Sequence, residues 1–272
     1  FGSSHFGSIH LAQAAKSLFL ITERAPLCHR AMASPAGRLV LVCGHSGAGK
    51  TTLAEGLKKH YGFAHFDGES WMCGMDPVAQ SAVTPSAEVL AKVPPERAAL
   101  ASDMREKCYN KISAGEEPVH SSYERFYRAM LLDVQALRAA TPGRDVVVSH
   151  APHLRVMRDF CRAELGGDVV VLVINAPTVV LQERVKIRLE AFATAQDKSL
   201  EEFVMQAQIP GKDTFEERME AMMSNVKGFS EAVERDEPNT FELTVTPDAG
   251  PDFVLASACT FLGISFTHLQ QP

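Results

Sequence analysis

Several things are missing from this sequence, and each absence closes off a class of protein. Basic residues are not in excess: 27 Lys and Arg stand against 33 Asp and Glu, a formal net charge of -6 with a pI near 5.9. Without a global basic footprint no nucleic-acid partner is expected, and any anionic ligand has to be held by a local positive site. No apolar run approaches the roughly 20 residues that span a bilayer, so no membrane partner is expected either. The six cysteines, at 28, 43, 73, 108, 161 and 259, form no CxxC pair, and none sits with histidine at zinc-ligand spacing. Scattered thiols fit a reducing compartment better than a disulfide framework; Cys43, closing an apolar run, reads as buried and inert. Internal repeats and low-complexity blocks are absent as well.

What the chain does have is material for a folded α/β protein. Its 272 residues, 46% of them hydrophobic, suit one domain with insertions, or at most two small domains. Residues 1–31 hold a single acidic residue, Glu23, and Met32 in RAMASPAGRLVLV reads as a candidate start. Translated upstream or residual sequence, an acid-poor organelle transit peptide and an ordered extra helix over IHLAQAAKSLFLITER are the open readings. The first two are favoured, and residues 1–36 are set apart from a main domain over 37–266. Beyond them, short apolar runs alternate with helical patterns: RLVLVC (38–43), FAHFD (63–67), RDVVVSH (144–150), GDVVVLVIN (167–175) and TFELTVT (240–246) read as strands. TTLAEGLKKHY ends at a C-cap glycine, Gly62; PERAALASDMREKCYNKIS opens on Pro and Glu as a helix should. SSYERFYRAMLLDVQALRAA reads as a helix started by a Ser121–Glu124 capping box, with Tyr123 and Phe126 in a core stripe. Pro85, Pro94 and Pro95 mark a loop-rich stretch between. HLRVMRDFCRAEL lies between two strands as a crossover helix, and strand–helix alternation of this kind predicts a parallel sheet.

The sharpest motif follows the first strand. Gly44, His45, Ser46, Gly47, Ala48, Gly49, Lys50 and Thr51, with Thr52 after them, match G-x-x-x-x-G-K-[ST] between a buried strand and a helix. Such glycines let successive N–H groups point inward, and the helix N-terminus adds positive potential for phosphates. Lys50 is placed to reach the β- and γ-phosphates and the Thr51 hydroxyl to help hold Mg²⁺. The alternative, a Gly-rich turn with no ligand, leaves the strand–loop–helix context unexplained. A nucleotide loop does not name a reaction. No N-K-x-D follows a strand, which argues against a GTPase; the later strands end in Ser-His and Asn rather than an acid, which argues against motor and transporter ATPases.

Seventeen positions after Lys50, Asp67 ends the second strand in FAHFDGESW, with Glu69 two residues on. One helix and one short strand separate them from the loop, so the carboxylates are expected to return beside the phosphates. There a carboxylate holds a Mg²⁺-bound water or takes a proton from an attacking hydroxyl; an ordinary Asp-Gly turn is the other reading. Arg184 and Arg188, four apart, share one helix face and read as lid arginines over the phosphates, or as a solvated basic face. His150 and His153 follow the third strand, at the edge where open α/β sheets place ligands. They read as binding an acceptor's hydroxyls or an anion, or as loop histidines tied to the backbone. Arg155 and Arg158 suit an acidic substrate or a plain helix surface. Trp71 and Met72 suit a pocket wall or, more simply, packing.

GHSGAGKTTLAEGLKKHYGFAHFDGE resembles the opening of gluconate kinases and their shikimate-kinase-like relatives: a phosphate loop, one helix, and a strand ending in Asp-Gly-acid. VPPERAAL, VVVSHAPHLRVMRDFCR and VVVLVINAPTVVLQERVKIR look like their acidic-Arg segment, third strand, and fourth strand leading into the lid; the likeness spans residues 38–192. It implies a three-layer α/β P-loop kinase fold with a parallel sheet, a helical substrate insert over residues 70–142 and a lid over residues 184–214. It also implies ATP and Mg²⁺ as cofactors, Thr51 and Asp67 toward the metal, and Lys50, Asp67 and Arg188 in catalysis. Glu69, Arg97, His150, His153 and Arg184 then fall to the acceptor. The sequence departs from the family where the acceptor should lie. Glu69 stands for the family's second Asp, His150 and His153 replace a double Lys, and no His-Phe pair follows Arg188. Adenylylsulfate kinases share the loop, but their Asp-Arg-Asn signature is absent.

The expectation is therefore ATP-dependent phosphoryl transfer to a hydroxyl of a small-molecule acceptor, with a sugar acid such as gluconate as one candidate. A nucleotide-binding regulator with a degenerate site, and a kinase of a nucleoside, nucleotide or adenylylsulfate, are the alternatives. A cytoplasmic monomer or homodimer is expected, with organelle import through residues 1–31 left open.

Overall fold

The computed structural model describes residues 37–73, 76–78, 93–113, 115–206, 209, 211–224, 231–247 and 249–266. The chain divides into Phe1–Met32 and Ala33–Pro272, and the readings made for residues 1–36 and for Pro85 lie outside the described residues.

Five strands form one sheet: β1 (Leu39–Gly44), β2 (Ala64–Asp67), β3 (Val146–Ser149), β4 (Val170–Asn175) and β5 (Thr240–Thr244), in the order β2-β3-β1-β4-β5. Every neighbouring pair is parallel. β1 and β3 are apolar without alternation because both faces are covered. On one face Val40, Val42 and Val147 pack with Leu53 and Leu57 of α1 (Lys50–Tyr61) and with the closing helix Pro251–Phe261 through Leu255 and Cys259. On the other, Leu41, Val146 and Val148 pack against Phe126, Met130, Met157 and Cys161. The result is a three-layer α/β domain. From β1 the chain goes to β2 on one side, and from β3 it crosses to β4 on the other. The crevice at the carboxyl ends of these strands is thus the natural ligand position.

The helices between, in chain order, are α2 (Gly68–Met72), α3 (Pro95–Met104), α4 (Asn110–Ser113), α5 (His120–Ala140), α6 (Arg155–Leu165), α7 (Thr178–Thr194), α8 (Leu200–Gln206) and α9 (Phe215–Ser224), followed after β5 by the closing helix, α10. α1 stops where the sequence says: Gly62 takes φ 73° and its N–H reaches the carbonyls of Leu57 and Lys58.

Two expectations are corrected. The stretch PERAALASDMREKCYNKIS is not one α-helix, because a π-helical turn over Arg105–Tyr109 separates α3 from α4. No Ser121–Glu124 capping box forms either: α5 starts at His120, with Val119 at its N-cap position and no side-chain cap. The backbone sets that start instead, because Val119 N–H donates to Lys107 C=O at 3.0 Å and Ser122 N–H donates back to Val119 C=O. Tyr123 and Phe126 are buried, as the core stripe requires, and Trp71 packs edge-on to Phe126 with its indole N–H on Asp133.

Candidate active site

β1 delivers the chain at Gly44, which has φ 135°. A Cβ there would lie 2.4 Å from the Ile174 carbonyl of neighbouring β4, so the loop can leave the sheet at this point only through glycine. Gly49, with φ 103°, is the N-cap of α1. No side chain caps that helix and no acid stands in its first turn. Its first amides and its dipole are thus unclaimed by side chains and free to meet an anion. Lys50 is buried, and its ammonium donates to the carbonyls of Gly44 (3.0 Å) and His45 (2.9 Å). Burial pulls its pKa below the ordinary lysine value, partly offset by Glu69.

Two arginines on α7 close over this loop. Arg184 donates to the carbonyls of Gly47 (3.1 Å) and Ala48 (3.3 Å). Arg188 bridges Ser46 Oγ (3.5 Å) and Glu69 Oε2 (3.0 Å) and stands over the ring of Phe192. Burial works against ionisation of Glu69, but Lys50 and Arg188 together hold its carboxyl below the usual value. Loop residues from Gly47 to Thr52, with Glu69, Arg184 and Arg188, line a cavity of about 500 Å³. Its other end is apolar, formed by Ala191, Phe192, Ala249, Pro251 and Val254. One end thus suits phosphates and the other a flat heterocycle.

Asp67 does not line this cavity; it is buried at the end of β2. It is the N-cap of α2, its Oδ1 accepting from the N–H groups of Glu69 (2.9 Å) and Ser70 (3.1 Å). The Asp-Gly turn and the functional reading therefore coexist. Burial raises the carboxyl above its ordinary value, against the lowering pull of the Ser70 N–H. Gly68 is required here, since a Cβ would meet His150 Nδ1 at 2.7 Å. Two residues before Asp67, His65 links three elements. His65 bonds Glu55 of α1 at 2.6 Å through Nδ1 and Ser149 of β3 at 2.8 Å through Nε2.

His150 and His153 follow β3. His150 is buried, stacked on Phe126, with Nε2 3.5 Å from the Tyr109 hydroxyl and Nδ1 without a hydrogen-bond partner. Burial lowers its pKa from 6.5 to about 4. The ring of His153 lies 5.7 Å from Tyr109 and 6.1 Å from His45, and burial holds its pKa well below normal. His45 is shifted the same way by burial and by Lys50.

Of the residues singled out in the sequence, those from Gly44 to Thr52, Lys50, Glu69, Arg184 and Arg188 converge at the loop. Arg184 lies on the phosphate loop itself rather than with the acceptor. Arg97 stands apart, its guanidinium 4.6 Å above the Trp71 ring and paired with Asp133 at 3.4 Å. His150 and His153 neighbour Glu69 and Lys50 but do not line the cavity. Sequence reasoning missed the apolar end of the cavity, although Phe192 stands one turn after Arg188. It also missed the Glu55–His65–Ser149 chain, whose only signal was a histidine inside an apolar strand. Among the described residues no three His, Cys, Asp or Glu side chains converge as a metal site. Among the described residues no helix is long and apolar enough to cross a membrane.

No protein-family profile matches this chain, and no curated protein is similar enough in sequence to count as a match. Solved structures do resemble it. A sugar kinase from a Janibacter species is 18% identical, with 84% of this chain and 95% of that chain covered at a TM-score of 0.46. A gluconokinase from Sinorhizobium meliloti is 16% identical over 83% and 91%, at 0.44. The APS kinase of Mycobacterium tuberculosis, solved with AMPPNP and APS, is 16% identical over 85% and 99%, at 0.44. At such scores and identities these likenesses decide nothing about the site, which stands on its own residues.

Proposed function

We propose that this chain transfers the γ-phosphoryl group of ATP to a hydroxyl of a small molecule. The observation that carries the reading is the convergence of Lys50, Arg184, Arg188 and the uncapped α1 terminus on one cavity, with Glu69 in the same lining and Asp67 buried two residues before it. The loop amides and Lys50 hold the phosphates, and the apolar end between Phe192 and Pro251 takes the base. Arg188, spanning Ser46 and Glu69, offsets charge on the transferring group. Thr51 would hold Mg²⁺, which when bound neutralises phosphate charge. The acceptor oxygen bonds to the γ-phosphorus, the bond to ADP breaks, and the hydroxyl proton passes to the Asp67 carboxylate. A carboxyl whose pKa is raised by burial suits that proton transfer. Residues 37–266 form the transfer domain in this reading, with the acceptor-side insert over 70–142 and the lid over 184–214.

The test is ATP consumption across sugars, sugar acids, nucleosides and other small metabolites, with ATP affinity measured alongside. Asp67→Asn keeps the helix cap, because Asn caps as well as Asp, so it isolates the charge. Turnover is expected to fall about 10²- to 10⁴-fold with ATP affinity nearly unchanged. A fully active Asp67→Asn protein would remove the role of Asp67. Tight ATP binding with no turnover on any acceptor would leave a nucleotide-binding regulator in place of a kinase.

A further inference from the structure

Four backbone carbonyls of the phosphate loop are held by two cations. Lys50 takes those of Gly44 (3.0 Å) and His45 (2.9 Å). Arg184 takes those of Gly47 (3.1 Å) and Ala48 (3.3 Å), both through one guanidinium nitrogen. Lys50 belongs to the loop's own helix, whereas Arg184 comes from α7, 136 positions beyond Ala48. The helix backbone fits closely as well. A Cβ at Gly47 would lie 3.4 Å from both Arg184 Cβ and the Leu181 carbonyl oxygen, and one at Gly49 would lie 3.8 Å from the Arg184 guanidinium. Val180 and Leu181 are buried, so this turn of α7 is anchored to the domain.

The bonds from Arg184 decide where the loop amides point. The loop's peptides are trans, and a trans peptide turns its C=O and the following N–H in opposite directions. The Gly47–Ala48 peptide is gripped at both ends: Arg184 takes its oxygen, and its N–H donates to the His45 carbonyl at 3.1 Å. The Ala48–Gly49 peptide is gripped at its oxygen, which turns the Gly49 N–H away from the guanidinium. With the carbonyls of residues 44, 45, 47 and 48 claimed by cations, the face left to an anion is made of N–H groups. Gly47 and Gly49, at φ 79° and 103°, have no side chains to hold this shape and lose much conformational freedom in taking it. Arg188 is placed differently. It is exposed, and its partners are the side-chain atoms Ser46 Oγ and Glu69 Oε2, which can be exchanged for a phosphate with the loop backbone intact.

We propose that Arg184 is a positioning residue for the nucleotide: it holds the phosphate loop in its anion-binding shape from outside, through the loop carbonyls, and does not act on the transferred phosphoryl group. This rests on the nucleotide half of the phosphoryl-transfer reading.

The experiment uses the full chain as native protein, Arg184→Met and Arg184→Lys, with ADP and a non-hydrolysable ATP analogue as probes. Affinity is measured by calorimetry, and amide hydrogen exchange at Ala48 by NMR in the nucleotide-free protein. In Arg184→Met both nucleotides are expected to bind about 10- to 100-fold more weakly, because the lost bonds are charge-assisted. The factor is expected to be the same for both, because the loop serves the phosphates that ADP and ATP share. Exchange at Ala48 is expected to rise at least about 10-fold while exchange in β1 and β3 stays native; that contrast separates release of the loop from general loss of stability. Arg184→Lys keeps the charge on a stem one atom shorter, and carries the test if Arg184→Met fails to fold. In it, affinity and Ala48 exchange are expected to move together, both kept or both lost. Native affinity or native Ala48 exchange in a folded Arg184→Met protein overturns the inference, as does an Arg184→Lys protein in which one is kept and the other lost. Weaker binding of the ATP analogue alone also overturns it, by placing Arg184 on the γ-phosphate. A native protein that binds neither nucleotide overturns the nucleotide reading itself, and the inference falls with it; nucleotide binding without turnover on any acceptor leaves the inference standing.

Discussion

His150 makes the fold sensitive to acid in a way that can be measured. Its imidazole is enclosed by Phe126, Tyr127 and the backbone of Gly68, and burial lowers its pKa from 6.5 to about 4. The unfolded chain binds a proton at this side chain below pH 6.5, and the folded chain does so only below about 4. Stability is therefore fully present above 6.5, falls as pH drops through the window between the two values, and levels off below it. The whole window is worth about 3 kcal/mol, at about 1.4 kcal/mol for each tenfold change in proton affinity. Between pH 7 and pH 5 the loss is about 2 kcal/mol, a large share of the 5–15 kcal/mol that holds a typical domain together, roughly speaking. His150→Gln removes the titration at this position and leaves His45, His65 and His153 in place. Urea unfolding of both proteins at pH 7 and pH 5 isolates the term. The native protein should lose about 2 kcal/mol more than the variant over that interval. Equal losses would refute the reasoning, because they would mean that the imidazole is protonated in the fold or reached by water.

Two further outcomes follow from the same geometry. Gly44→Ala sets a Cβ 2.4 Å from the Ile174 carbonyl oxygen of neighbouring β4 and 3.4 Å from Ala48 Cβ, at φ 135°. Unfolding stability should drop by at least about 3 kcal/mol, whereas Gly62→Ala, open to solvent at φ 73°, should lose only about 1 kcal/mol; similar melting temperatures for the two variants would contradict this. Arg158 and Glu237 are both fully buried. Arg158→Met alone should destabilise by about 3–5 kcal/mol, and adding Glu237→Leu should restore most of it. A double variant as unstable as the single one would show that the pair contributes more than its mutual compensation.

The sequence by itself determined the strands, the phosphate loop and the helix that follows it. These follow from local rules: unbroken apolar runs for strands buried on both faces, and glycines where φ is positive. Strand ends differ from the expected ones by up to three residues, as at Val170, where β4 begins after Gly167, Asp168 and Val169. It did not yield the break at Arg105–Tyr109 or the start of α5, where contacts between Val119 and Lys107, twelve residues apart in sequence, set the backbone. Nor did the receiving end of the site emerge from one-dimensional pattern. Arg97, Arg155 and Arg158 read alike as anion binders in sequence, and only tertiary structure sent them to Asp133, Asp236 and Glu237. Likewise, nothing local marks His150 and His153 as neutral, since burial by α5 and the π-helical turn is what removes their charge. A phosphate loop is written in consecutive residues because its ligand is met by consecutive amides. An acceptor pocket is assembled from separate segments, and its chemistry is fixed by which charges those segments cancel when they pack.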